Sequence, residues 1–159
     1  MDSRNSLGYL LQHTSTIMQR QADQLLQERL GIGMAQYRIL MTLQERPQVQ
    51  QRFLADSLGQ TEASISRQVK LLLERNLLVV QTNPQNRREH VTVLTQKGVK
   101  LAHAAQEALQ EYHAPAFDAL SEKEQEHLAE ILQHLHLHCC QEGKPYACDL
   151  PWFSMQTDS

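Results

Sequence analysis

The chain has 159 residues, three cysteines and a formal charge of −3 at pH 7, enough for one domain with a substantial core. It has no apolar run of about 18 residues, which excludes a spanning helix, and Gly8-Tyr9-Leu10-Leu11 is too short for the apolar part of a signal peptide. The odd, small number of cysteines argues against a disulfide framework and for a cytoplasmic protein.

Residues 6–30 are predicted to form a long helix, because Leu7, Leu10, Leu11, Ile17, Met18, Leu25 and Leu26 recur by threes and fours. Gly31-Ile32-Gly33 stops it. A second helix is expected over 34–46 with Tyr37, Leu40, Met41 and Leu43 inward, ended by Pro47. The stretch from Gln51 to Leu73 then reads as two short helices joined by a sharp turn. Phe53, Leu54 and Leu58 supply the apolar contacts of the first, with the small Ala55 where packing is closest. Gly59 makes the turn, since glycine adopts the left-handed conformation at least cost. Thr61 is placed to cap the second helix. Its apolar residues Ile65, Val69, Leu72 and Leu73 share one face, leaving Ala63, Ser64, Arg67 and Lys70 outward at 100° per residue. Small hydrogen-bonding residues followed by two cations suit the base edges and phosphates of a major groove. On these residues alone, an ordinary helical hairpin with a solvated face fits equally.

The next segments favour the first reading. Leu77 to Thr82 and His90 to Leu94 are short β-prone runs, and residues 83–89 between them form a turn-rich loop carrying Arg87 and Arg88. Strand, basic loop and strand after a helical hairpin make a winged helix, whose loop reaches the minor groove or backbone. Thr95 then caps another helix. The ordered set LADSLG, SISRQVKLL, NPQNRREH and LTQKG resembles the MarR family of bacterial transcription regulators over roughly residues 34–100. Two departures stand out: Asn86 occupies a position where family wings usually carry aspartate, and Val79-Val80-Gln81 replaces an often basic strand. The first removes a carboxylate that would orient Arg88, and the second removes phosphate contacts.

Charge is distributed accordingly. Residues 46–100 hold nine Lys/Arg against four Asp/Glu, a balance of +5, while the rest hold six against fourteen, a balance of −8. The basic part is the winged segment.

A helix is expected over Val99 to Tyr112, with the alanine-rich stripe Leu101, Ala102, Ala105, Ala108, Leu109 and Tyr112, and Pro115 is expected to break or kink it. Ser121-Glu122-Lys123-Glu124 is a capping box opening a last helix whose apolar face is Leu128, Ile131, Leu132 and Leu135. His134-Leu135-His136-Leu137-His138-Cys139-Cys140 is rich in metal-ligand types, and His134 and His138 share a helix face. His136 points about 160° away from His134, so the three cannot ligate together, and Cys139 reads as a buried small hydrophobe continuing the apolar stripe. The tail carries Pro145, Pro151 and Trp152-Phe153, an anchor for a partner subunit or a disordered end.

The fold expected is mainly α with a small β-hairpin wing: a winged helix-turn-helix core at 34–98, terminal dimerisation helices at 1–33 and 99–140, and a tail at 141–159. The one-sided stripes of the terminal helices are buried most economically by a second copy, with a monomeric bundle as the alternative. The resemblance implies a homodimer, a palindromic operator in double-stranded DNA, and repression released by a small effector of aromatic-acid type. DNA contacts fall to Thr61, Ala63, Ser64, Ser66, Arg67, Lys70, Arg87 and Arg88, with Arg88 matching the wing-tip arginine. His13, Tyr37 and His113 are the candidates for an effector cleft. No catalytic residue, cofactor or metal site is assigned, because phosphate-cradling, nucleophile-elbow and His-Glu-x-x-His motifs are absent from the sequence. Two other readings remain: a protein-docking module, and a metal or redox sensor using the His/Cys cluster.

Overall fold

The computed structural model describes residues 3–142, with side chains described over 6–139. The tail with Trp152 and Phe153, and the side chain of Cys140, lie outside the described residues. Among the described residues the order is α1 (Ser3–Leu30), α2 (Met34–Glu45), α3 (Gln51–Leu58), α4 (Glu62–Glu74), β1 (Leu78–Thr82), β2 (His90–Leu94), α5 (Gln96–Asp118) and α6 (Glu122–Glu142).

One apolar cluster holds these elements together. Leu26 from α1, Ile39 and Leu40 from α2, Leu54 from α3, Ile65 and Leu72 from α4, and Ala102 and Ala105 from α5 are all sealed from solvent. The buried alanines let α5 lie close against both α1 and α2. Only the C-terminal half of α1 takes part, through Ala22, Leu25 and Leu26; Leu7, Leu10, Leu11 and Ile17 stay exposed.

Ends and turns follow from local chemistry. The Asp23 carboxylate of α1 accepts the Met34 N–H at 2.7 Å, satisfying a free donor at the start of α2. Gly59 sits at φ 61°, and the Gln60 N–H closes back on the Ala55 carbonyl at 3.0 Å. The end of α4 uses Asn76 in the left-handed position, φ 58°. Its N–H bonds to the Leu73 carbonyl and that of Leu77 to the Leu72 carbonyl, each at 2.9 Å, a Schellman closure. That explains why the strand starts one residue later than expected: Leu77 is occupied in ending the helix.

The sheet is a single antiparallel hairpin with Val80 opposite Thr92. Val49, before α3, adds one bridge on the other edge, where the Thr92 N–H reaches the Val49 carbonyl at 2.8 Å. The start of α5 then packs on the end of α4. Thr95 caps α5 by accepting the Gly98 N–H at 3.0 Å, and its own N–H donates to the Leu77 carbonyl at 3.1 Å. A Cβ on Gly98 would collide with that carbonyl, so only glycine fits.

Two expectations are corrected. Of the two outcomes expected at Pro115, a break or a kink, the break does not occur, and α5 runs on to Asp118. Proline removes its own N–H from the ladder and crowds the Glu111 carbonyl one turn back, but both residues lie on an exposed face with room to adjust. Cys139 is exposed rather than buried. No described side chain of α6 is buried, although the Ser121–Glu124 capping box forms as expected, with the Glu124 carboxylate accepting the Ser121 N–H at 2.9 Å.

Candidate nucleic-acid interface

The outward face of α4 is set by how firmly its inward face is held. Ile65, Val69 and Leu72 are at most 1% exposed. Thr61 caps the helix, its Oγ1 accepting the Ser64 N–H at 3.2 Å. The Ser64 hydroxyl donates to Gln60 Oε1 at 3.1 Å, so the half-buried Ser64 serves the turn. Ala63, Ser66, Arg67 and Lys70 remain exposed. Among the described residues, Arg67 and Lys70 have no ion pair, so their charge is directed to solvent.

The wing loop is shaped by side-chain-to-backbone bonds. Asn83 Oδ1 accepts the Gln85 N–H at 3.0 Å, and its amide donates to Glu89 Oε2 at 3.1 Å. Asn86 Oδ1 accepts the Arg88 N–H at 3.2 Å, while the Asn86 carbonyl takes the Glu89 N–H at 2.9 Å. Asparagine therefore keeps the turn-making acceptor of an aspartate and drops its charge. Arg87 and Arg88 are exposed and lack a carboxylate partner among the described residues. The wing is pre-shaped and its cations are not neutralised in place. Elsewhere in the winged segment, Arg46 lies over the Phe53 ring at 5.4 Å, a cation–π contact from the α2–α3 connection.

The candidate cleft residues behave differently from one another. Tyr37 is half-buried against the core, and burial, then the nearby Glu45 charge, pushes its phenol above the ordinary range. It therefore stays a neutral donor at physiological pH. Burial likewise raises Glu45, against the lowering effect of Arg46. His13 is exposed on α1, stacked on Tyr9 at 5.5 Å, and His113 meets Tyr112 edge-on at 5.4 Å. No hydrogen bond or ring contact joins the three among the described residues. His134 and His138 are exposed on α6, and no group of three or more metal-ligand side chains forms among the described residues.

Sequence inspection missed Gly98 and Arg75. Each acts through a partner far along the chain, Gly98 through the Leu77 carbonyl and Arg75 through Gly31, so no local pattern marks them.

Residues 30–89 match the model of the MarR family. No curated protein sequence matches the chain. Among solved structures, a MarR/EmrR family transcriptional regulator from an Acinetobacter species superposes with TM-score 0.74 at 22% identity, covering 89% of this chain and 99% of that one. A MepR mutant from Staphylococcus aureus bound to an oligodeoxyribonucleotide is 27% identical, with TM-score 0.57 over 84% of this chain and 97% of its own. CouR from Rhodococcus jostii, bound to p-coumaroyl-CoA, has TM-score 0.70 at 24% identity over 81% and 90%. The segment 30–89 is therefore MarR-like in sequence, and the described chain shares the fold of MarR-family winged-helix regulators. The family model and the solved structures it matches are those of transcriptional regulators.

Proposed function

We propose that the protein is a cytoplasmic, DNA-binding repressor that acts as a homodimer on a palindromic operator. The observation that carries the reading is the pair of cationic surfaces. Arg67 and Lys70 stand on the outer face of a capped, core-anchored α4, and Arg87 and Arg88 on a pre-shaped loop, all exposed and unpaired with carboxylate among the described residues. Charge of this kind, not neutralised within the fold, is available to displace counterions from phosphates. The oligonucleotide bound to the MepR mutant supports the same use of the fold. In this reading Ala63, Ser66 and Arg67 meet base edges with Thr61, Ser64 and Lys70 around them, and the wing contacts the backbone or minor groove.

Dimerisation is supported by the apolar residues of α1 and α6, which the chain's own core does not cover. Residues 1–33 and 99–140 would pair the two copies, leaving 34–98 to engage DNA. An effector of aromatic-acid type would bind between these regions, near Tyr37, His113 and His13; CouR, with p-coumaroyl-CoA bound, uses the same fold for an aromatic acyl ligand. Mobility shifts of DNA upstream of the protein's own gene, run at several salt concentrations, test the reading. A retarded complex that weakens steeply with salt is expected. No salt-dependent complex on any duplex would leave a protein-docking role in its place.

A further inference from the structure

We infer that Arg75 is the positioning residue that fixes the recognition helix relative to the dimer-forming helices, and so sets which half-site spacing the protein accepts. The inference rests on the dimeric DNA-binding reading above.

Arg75 is the C-cap of α4. Its guanidinium crosses to the end of α1, donating from Nη1 to the Gly31 carbonyl at 2.6 Å and from Nη2 to the Leu30 carbonyl at 3.3 Å. Those carbonyls are at the last residue of a 28-residue helix and the glycine that follows it, where backbone acceptors lack intrahelical partners and the dipole favours a cation. The Arg75 carbonyl in turn accepts Lys97 Nζ of α5 at 3.0 Å. The next two carbonyls are held as well: Asn76 O by Thr95 Oγ1 at 2.8 Å, and Leu77 O by the Thr95 N–H at 3.1 Å. Three successive residues at the end of α4 are thus tied to the end of α1 and the start of α5.

The two ties differ in kind. The one to α5 is short in sequence and backed by the Gly98 approach to Leu77. The hydrogen bonds that join the end of α4 to the end of α1 both come from the Arg75 side chain, across more than 40 residues. Arg75 is half-buried, and its guanidinium is engaged by the Gly31 and Leu30 carbonyls rather than offered to a duplex. Its effect on DNA is therefore geometric. A planar fork holding two carbonyls fixes direction as well as distance, which a lysine ammonium does not.

The test uses the full-length chain, an operator selected from random duplexes by the purified protein, a duplex carrying one half-site, and operators with the half-sites moved by one and two base pairs. The parent should prefer the full operator over the half-site and lose affinity sharply when spacing changes. Arg75→Met should keep half-site affinity within about threefold, yet bind the full operator on the order of tenfold more weakly, a typical coupling between linked sites. Its spacing profile should flatten. Arg75→Lys, which keeps the charge and is the milder change should the methionine variant not fold, should fall between the two. Equal loss on half-site and full operator, or an unchanged spacing profile, would overturn the inference while leaving the dimeric reading intact. A parent with no preference for two half-sites would overturn both.

Discussion

In the winged core, Leu54, Ile65 and Leu72 are completely covered by their own chain, whereas Leu7, Leu10 and Leu135 on the terminal helices remain 67%, 56% and 46% exposed. The same residue type is used in both places, at the same helical spacing. What differs is the presence of a facing surface. α4 lies against α2 and α3 and touches β1, so its apolar face closes as it folds. α6 has no buried side chain among the described residues, and its apolar stripe is exposed. A helix that keeps Leu128, Ile131, Leu132 and Leu135 on one face and charge on the other is patterned for burial that the described residues of one copy do not provide.

The largest effect should come from breaking the open region. Ile131→Glu combined with Leu135→Glu places two charges in the proposed seam, and burying unpaired charge costs several kcal/mol. Sedimentation should show the dimer replaced by monomer, while circular dichroism retains the helical signal because the covered core is untouched. A dimer that persists with both glutamates would move the interface elsewhere. Deleting residues 1–30 is a blunter version, since it also strips Leu25 and Leu26 from the core.

The closed region should break at a single methyl group. Gly98→Ala drives a Cβ into the Leu77 backbone, which has already committed its carbonyl to Thr95. Neither side is a flexible side-chain tip, so relief requires α5 to shift on α4. A loss of about 3 kcal/mol in urea unfolding is expected, the upper range for overpacking. A variant as stable as the parent would show that this junction is loose.

The next contrast is within the DNA-facing surface. Arg67→Ala should cost about 1–3 kcal/mol on the operator and relax its sequence preference, as loss of a base-edge contact does. Arg88→Ala should weaken binding to all duplexes and lower the salt slope by about one, with lost selectivity confined to A·T-rich flanks. Binding curves on operator and scrambled DNA at three salt concentrations separate the two. Indistinguishable variants would merge helix and wing into one non-specific surface.

Gly59→Ala should be milder than Gly98→Ala. Nothing lies within 4 Å of a Cβ built there, so the cost is that of placing alanine at φ 61°, about 1 kcal/mol. The comparison distinguishes a glycine needed for its backbone from one needed for its lack of side chain.

Most of the fold was legible because its determinants are local. The face of α4, the Thr61 and Thr95 caps, the left-handed Gly59 and the Ser121–Glu124 box each lie within a few residues of sequence. The β-hairpin was legible for the same reason, down to His90 as the first residue of β2. Hidden features depend on distant partners. Arg75 reads as an ordinary helix-end cation until Gly31 is beside it, and Val49 as loop until Thr92 is. The break expected as one outcome at Pro115 does not occur, because the hydrogen bond it removes lies on an exposed face. The Cys139 expectation assumed a cover that the chain's own described residues do not supply.

The smallest effect is expected at the far end of α6, where the sequence is chemically richest. His134 and His138 lie one turn apart and Cys139 beside them, all exposed. Two imidazoles on one helix give a divalent metal two ligands, against the four of a structural zinc site, and no third side chain converges on them among the described residues. A cysteine becomes a redox sensor when a neighbouring cation or helix N-terminus lowers its pKa. Cys139 is instead close to the C-terminal end of α6, far from that helix's N-terminus. Replacing His134 and His138 by alanine, and Cys139 and Cys140 by serine, should leave operator affinity unchanged within about twofold, with or without zinc or peroxide. Operator release by zinc or peroxide that the parent shows and the substituted chain lacks would make this end of the helix a sensor. It would also turn the open region from a surface for a second copy into a regulatory site.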